Sequence, residues 1–149
     1  MPAVPEYVGN LEADRGVGPV QIAGVDLYVN NPIMALGSPD WIRDDLALEG
    51  TPAASSDTHV LVRVQAQVVL IKVRLFMDHG QGVAADPSFT TVFDGSLYLA
   101  DRRFVIGDVL GESRFVKYIG GPQRWRLRVA VDDPEGYARA ADVVLRAEE

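Results

Sequence analysis

With 149 residues, 48% of them hydrophobic and 23% charged, the chain is long enough to bury one sizeable core and too apolar to be a disordered segment. It has no cysteine, which excludes disulfides, thiolate metal sites and cysteine nucleophiles together and fits a cytoplasmic setting. The net charge of −7 is spread along the chain, with 9 acidic and 5 basic residues in 1–75 and 12 and 9 in 76–149; such a surface disfavours nucleic acid and favours cationic partners.

Residues 1–17 have no hydrophobic period and read as a peripheral N-terminal arm, without the basic start and apolar centre of a secretory signal. The remainder, 18–149, reads as a single domain. Residues 20–29 alternate as a first strand, with a phase slip at Ala23-Gly24 that suggests a bulge. Ser38-Pro39-Asp40 then has the form of a helix start, a capping hydroxyl followed by proline at the first helical position. The spacing predicts one short helix over 39–48, ended by Gly50, with Trp41, Ile42, Leu46 and Leu48 inward. Thr51 to Asp57 reads as a loop.

Residues 60–77, VLVRVQAQVVLIKVRLFM, carry the clearest pattern. Even positions from Val60 to Leu70 are apolar, then odd positions from Val69 to Met77. Period 2 makes this a strand, and the exchange of faces places a one-residue shift near Val68-Val69. Fully extended, the segment would span about 60 Å, against a domain diameter of about 40 Å. It must therefore bulge, bend or pass from one sheet to another. Arg63, Lys72 and Arg74 exclude a membrane-spanning helix here, and no membrane association is expected.

Residues 78–88 read as a loop, and 89–108 as two strands around a turn at 100–103. Phe115 to Ile119 is a short strand, followed by the Gly120-Gly121-Pro122 turn. Arg124 to Val131 alternates cleanly, with Trp125, Leu127, Val129 and Val131 inward and Arg124, Arg126 and Arg128 outward. Residues 133–149 admit a helix or a strand; Val143-Val144-Leu145 favours the strand. The sum is a mainly β protein, a single-domain antiparallel β-sandwich with one short helix.

No nucleophile elbow, phosphate loop, dinucleotide fingerprint or calcium loop is present, and no catalytic residue, cofactor or metal site is assigned. His59 and His79 flank the long strand and read as two separate loop histidines unless the chain doubles back. The tract Asp78 to Gly82 has the composition of a binding loop and equally of an ordinary connection. The row Arg124, Arg126, Arg128 reads as a solvent face crossed by carboxylates of a neighbouring strand. Loop carboxylates are the commonest polar feature. Asp40, Asp44 and Asp45 crowd the start of the expected helix, where the helix dipole alone also favours them. Trp41 reads as core or, if exposed, as the anchor of a protein contact, with Tyr98 as a second aromatic of that kind.

The run FDGSLYLADRRFVIGDV (93–109), followed by RWRLRVAVDD (124–133) and preceded by the Trp-containing acidic region 38–50, resembles bacterial competence-J-type nuclease inhibitors and related β-sandwich immunity proteins. That resemblance implies a non-catalytic binder of a nuclease or toxin. The leading expectation is an acidic protein-binding module that inhibits a cationic nuclease or toxin. The candidate partner-binding residues are Asp40, Trp41, Asp44, Asp45 and Tyr98. Two alternatives stay open: an assembly subunit forming homo-oligomers through sheet edges and the N-terminal arm, and an enzyme whose site is assembled only in the fold.

Overall fold

The computed structural model describes residues 19–29, 32–65, 70–78, 86–109 and 113–148. The expected N-terminal arm, the Val68-Val69 shift, His79 and most of the 78–88 loop lie outside them. Ten strands are described: β1 (Val20–Leu27), β2 (Ile33–Gly37), β3 (Ala53–Ser55), β4 (His59–Arg63), β5 (Ile71–Met77), β6 (Thr90–Tyr98), β7 (Arg103–Asp108), β8 (Arg114–Tyr118), β9 (Arg124–Val131) and β10 (Ala140–Ala147). They form two five-stranded sheets, sheet A in the order β1-β5-β10-β9-β6 and sheet B in the order β3-β4-β2-β7-β8. All pairings are antiparallel except β5 with β10, which run parallel from Lys72↔Ala140 to Met77↔Leu145.

The alternation seen in the sequence explains the layers. In β9, Trp125, Leu127 and Val129 are buried at 3%, 0% and 0% exposure, and the arginines between them face outward. The inward residues of both sheets, among them Leu36, Val60 and Ile106 from sheet B and Val73, Leu127 and Leu145 from sheet A, join in one hydrophobic cluster. This shared core makes the two sheets a β-sandwich. The C-terminal segment is a strand, β10, lying between β5 and β9. In β1 the register shift falls between Gln21 and Ala23, next to the expected slip.

The long segment 60–77 does change sheets, since β4 belongs to sheet B and β5 to sheet A. Two neighbouring amides mark where the crossing begins. Val64 N donates to Pro32 O at 3.0 Å, on the sheet B side, and Gln65 N donates to Ala138 O at 2.9 Å, beside β10 of sheet A. Val64 and Ile71, on opposite parities, are both fully buried.

Two expectations about the elements are corrected, and one strand is added. Residues 39–48 form no helix; they are an irregular loop with a turn in which Leu46 N donates to Arg43 O at 3.1 Å. There is no α-helix among the described residues, and so none long and apolar enough to cross a membrane. Residues 51–57 are not wholly loop, because Ala53–Ser55 pairs with β4 as an edge strand. Strand β2, at the centre of sheet B, went unread: its run Ile33-Met34-Ala35-Leu36 is apolar throughout and lacks the alternation of a half-exposed strand.

Candidate partner-binding site

The loop 38–50 leaves sheet B at the end of β2. Gly37 has φ of 131°, a conformation that strains any residue with a Cβ, and a Cβ there would run into the Thr58 carbonyl. The glycine lets the chain turn off the sheet while Ser38 N still donates to Thr58 O at 3.0 Å. Ser38 Oγ then accepts from Asp40 N at 3.1 Å and donates to Asp40 Oδ2 at 2.9 Å. The capping hydrogen bond expected of Ser38 is therefore made, but no helix follows it.

His59 supplies the reason. It is 2% exposed, and its Nε2 lies 3.0 Å from Ser38 O and 3.1 Å from Asp40 O. Both partners are acceptors, so Nε2 carries a proton and donates to both, and Nδ1 shares a hydrogen bond of 2.8 Å with the Thr58 hydroxyl. The Ser38 and Asp40 carbonyls are those that a first helical turn would offer to the amides of residues 42 and 44. One buried imidazole engages both and ties the loop to β4.

From this tie Trp41 projects into solvent, 94% exposed. Its expected inward packing is thus corrected. The loop's other apolar residues cover the sheet instead: Ile42, Leu46 and Leu48 are partly buried and face Ile33 and Leu61 across a cleft of about 450 Å³. Asp45 is held by Arg43 through two hydrogen bonds of 3.0 and 2.9 Å, which keep its carboxyl below the usual carboxylate range and raise the guanidinium above its own. Asp40 and Asp44 are exposed beside them. The stretch 38–50 carries four carboxylates against one arginine, three of the chain's seven excess negative charges.

Between Trp41, Asp40 and the outer face of sheet B runs a groove of about 420 Å³, its floor formed by Gly37, Val105 and Gly107 and its walls by His59, Asp108 and Arg114. Asp108 is buried. Arg114 reaches Pro39 O at 3.5 Å from the far side. The fold thus brings Asp40, Trp41, Asp44 and Asp45 onto one loop and adds His59, Asp108 and Arg114, which sequence reasoning did not select. His59 stands 21 positions from Ser38, and only the β2–β4 register brings them together.

Tyr98 is placed elsewhere. It ends β6 opposite Arg124, whose guanidinium lies 5.2 Å from its ring centroid, and it does not line the groove. The arginine row behaves as a solvent face: Arg124 pairs with Asp57 at 2.7 Å and Arg126 with Asp94 at 2.8 Å, the latter from neighbouring β6. Hydrogen bonding to these carboxylates holds both guanidinium groups above their ordinary range. Among the described residues, no group of three or more acidic or histidine side chains is placed to hold a metal ion.

No protein-family model and no curated protein sequence matches the chain. Solved structures match it in fold. ComJ from Bacillus subtilis, an inhibitor of the DNA degrading activity of NucA, aligns over 87% of this chain and 98% of its own with a TM-score of 0.61 at 11% identity. The protein of crocagin biosynthetic gene J aligns over 88% of this chain and 97% of its own, with a TM-score of 0.51 at 13% identity. At such identity the likeness extends to the architecture and not to individual residues, and on that ground the chain has a ComJ-type fold.

Proposed function

We propose that the protein is a non-catalytic inhibitor of a cationic nuclease or toxin and that it holds its target through loop 38–50. The observation that carries the reading is Trp41: a tryptophan 94% exposed, presented on a tied loop between carboxylates. Exposing an indole forfeits about 1.5–3 kcal/mol of burial. Tryptophan is among the residues that most often dominate protein–protein contacts. The surrounding negative charge suits a basic target and would speed encounter at low salt. ComJ, with a similar fold, inhibits a DNA-degrading protein, which supports the same class of activity here.

The test is capture followed by assay. Wild-type protein and Trp41→Ala are immobilised and exposed to lysate, and each eluate is assayed for DNA degradation and for toxicity with and without added free protein. The reading expects a basic protein retained by wild type and not by Trp41→Ala, whose activity falls to background when wild type is added. Retained proteins that are the same on both matrices, or an activity that added protein leaves untouched, would refute it.

A further inference from the structure

The molecule builds one arrangement twice. On the outer face of sheet A, the Arg74 guanidinium lies 5.3 Å from the ring centroid of Phe76 and donates to Asp142 at 2.8 and 2.7 Å. At the end of β9, Arg124 lies 5.2 Å from the ring centroid of Tyr98 and donates to Asp57 at 2.7 Å. In each, an aromatic face attracts the planar cation and a carboxylate fixes it in place.

At the tip of loop 38–50 two of the three parts recur. Trp41 supplies the ring and Asp40 the carboxylate, and the two line the same groove. The third is absent among the described residues: with Trp41 94% exposed, none of their guanidinium groups covers it. Arg43, two positions away, is engaged by Asp45, and Arg114 points to the Pro39 carbonyl from the opposite wall. Indole is the strongest cation–π partner of the three aromatic types. The groove floor at Gly37 and Gly107 carries no side chains, while Val105 offers apolar surface to a long aliphatic stem.

We propose that this groove receives an arginine side chain of the target, completing a third arginine–aromatic–carboxylate arrangement across the interface. The proposal rests on the reading of loop 38–50 as the target-binding surface and names the chemistry it recognises. His59 is the positioning residue, because its two hydrogen bonds set the backbone on both sides of Pro39.

The test needs no knowledge of the target. The probe is the peptide acetyl-Gly-Arg-Gly-Arg-Gly-amide, with citrulline in place of arginine as its neutral control, titrated into isotopically labelled protein. The chain has 2 tryptophans, so the indole N–H resonances report the groove directly. Trp125, buried and donating to Pro122 O at 2.8 Å, is the internal control. The arginine peptide should shift the Trp41 indole and the backbone amides of Asp40 and Ile42, and leave Trp125 in place; the citrulline peptide should do neither.

Trp41→Leu keeps every charge and should weaken binding, read at the same amides, by about five- to thirtyfold. Asp40→Asn should weaken it as well. Because Trp41 is exposed, Trp41→Leu should keep the wild-type amide spectrum elsewhere, which separates lost binding from lost fold. Equal shifts with the citrulline peptide would overturn the proposal, because no cation is then needed; undiminished binding by Trp41→Leu would overturn it as well and leave only attraction between opposite charges. If the peptide binds while no captured nuclease or toxin is inhibited, the groove stands and the proposed function fails. If inhibition is found while the peptide does not bind, the target is held by other chemistry.

Discussion

Replacing His59 with phenylalanine keeps the volume of a buried ring and removes all three of its side-chain hydrogen bonds, so it isolates the tie between loop 38–50 and β4. The Ser38 carbonyl is buried, and leaving it without this donor costs about 1–3 kcal/mol. The Asp40 carbonyl is only part-buried and recovers some hydration, and the Thr58 hydroxyl can turn to water. Together these give a loss of about 2–4 kcal/mol, against a total stability of about 5–15 kcal/mol for a domain. The variant should therefore fold, with its β circular dichroism retained and its urea midpoint lowered at unchanged slope. Ser38 N still reaches Thr58 O, so β2 and β4 stay paired while residues 39–41 loosen. Amide exchange should accelerate at Asp40 and Trp41 and remain slow in β9 and β10. A stability within about 0.5 kcal/mol of wild type, with exchange unchanged in the loop, would refute the assignment of His59 as the tie.

Further outcomes follow from other contacts. Val64→Ala should cost about 1–3 kcal/mol and Ile71→Ala about 2–4 kcal/mol by denaturant titration, because both are fully buried where the chain changes sheets; a midpoint that does not move would contradict the crossing. Asp142→Ala removes a 2% exposed carboxylate and leaves Arg74 with Asp86, 3.8 Å away, as its remaining acidic partner; that guanidinium side chain is 42% exposed, so the loss should be about 2–3 kcal/mol, below that of a fully buried pair. Asp44→Asn with Asp45→Asn should slow association with the captured target steeply at low salt and little at high salt; equal rates across a salt series would place the contact elsewhere. The Asp45 carboxyl is held below its ordinary value of 3.8 by hydrogen bonding from Arg43. Its small contribution is present above that value and lost as pH falls through the lower, folded one. Arg43→Met should return the Asp45 titration, followed by carboxyl carbon shifts, to the ordinary range, and no change there would contradict the pairing.

How far the sequence reveals this molecule depends on how each segment is buried. Strand β9 is legible because one face meets the core and the other carries arginines, so burial and polarity alternate together. The sheet crossing is legible for the same reason, since a change of sheet exchanges the buried parity: Val64 and Ile71, on opposite parities, are both buried. Strand β2 has the opposite character: Met34, Ala35 and Leu36 are all buried, Ala35 beneath the groove on the outer face, and a run apolar on both faces carries no period. The helix expected over 39–48 rests on a true local signal that the fold overrides. Ser38 does cap, but a histidine 21 residues away takes the carbonyls, and nothing local announces that. The candidate site divides likewise. Its carboxylates and Trp41 are neighbours in sequence and could be seen together, whereas His59, Asp108 and Arg114 reach the groove only through strand pairing.

The central claim is that the ComJ-type fold here presents Trp41 as the anchor for a basic target. It is tested most directly by the dissociation constant of the captured target for wild type, Trp41→Ala and Tyr137→Ala, the last an aromatic 66% exposed outside the loop. The account expects Trp41→Ala to lose about thirtyfold or more, as the truncation of a dominant contact does, and Tyr137→Ala to bind as wild type. Affinity kept by Trp41→Ala and lost by Tyr137→Ala would contradict it.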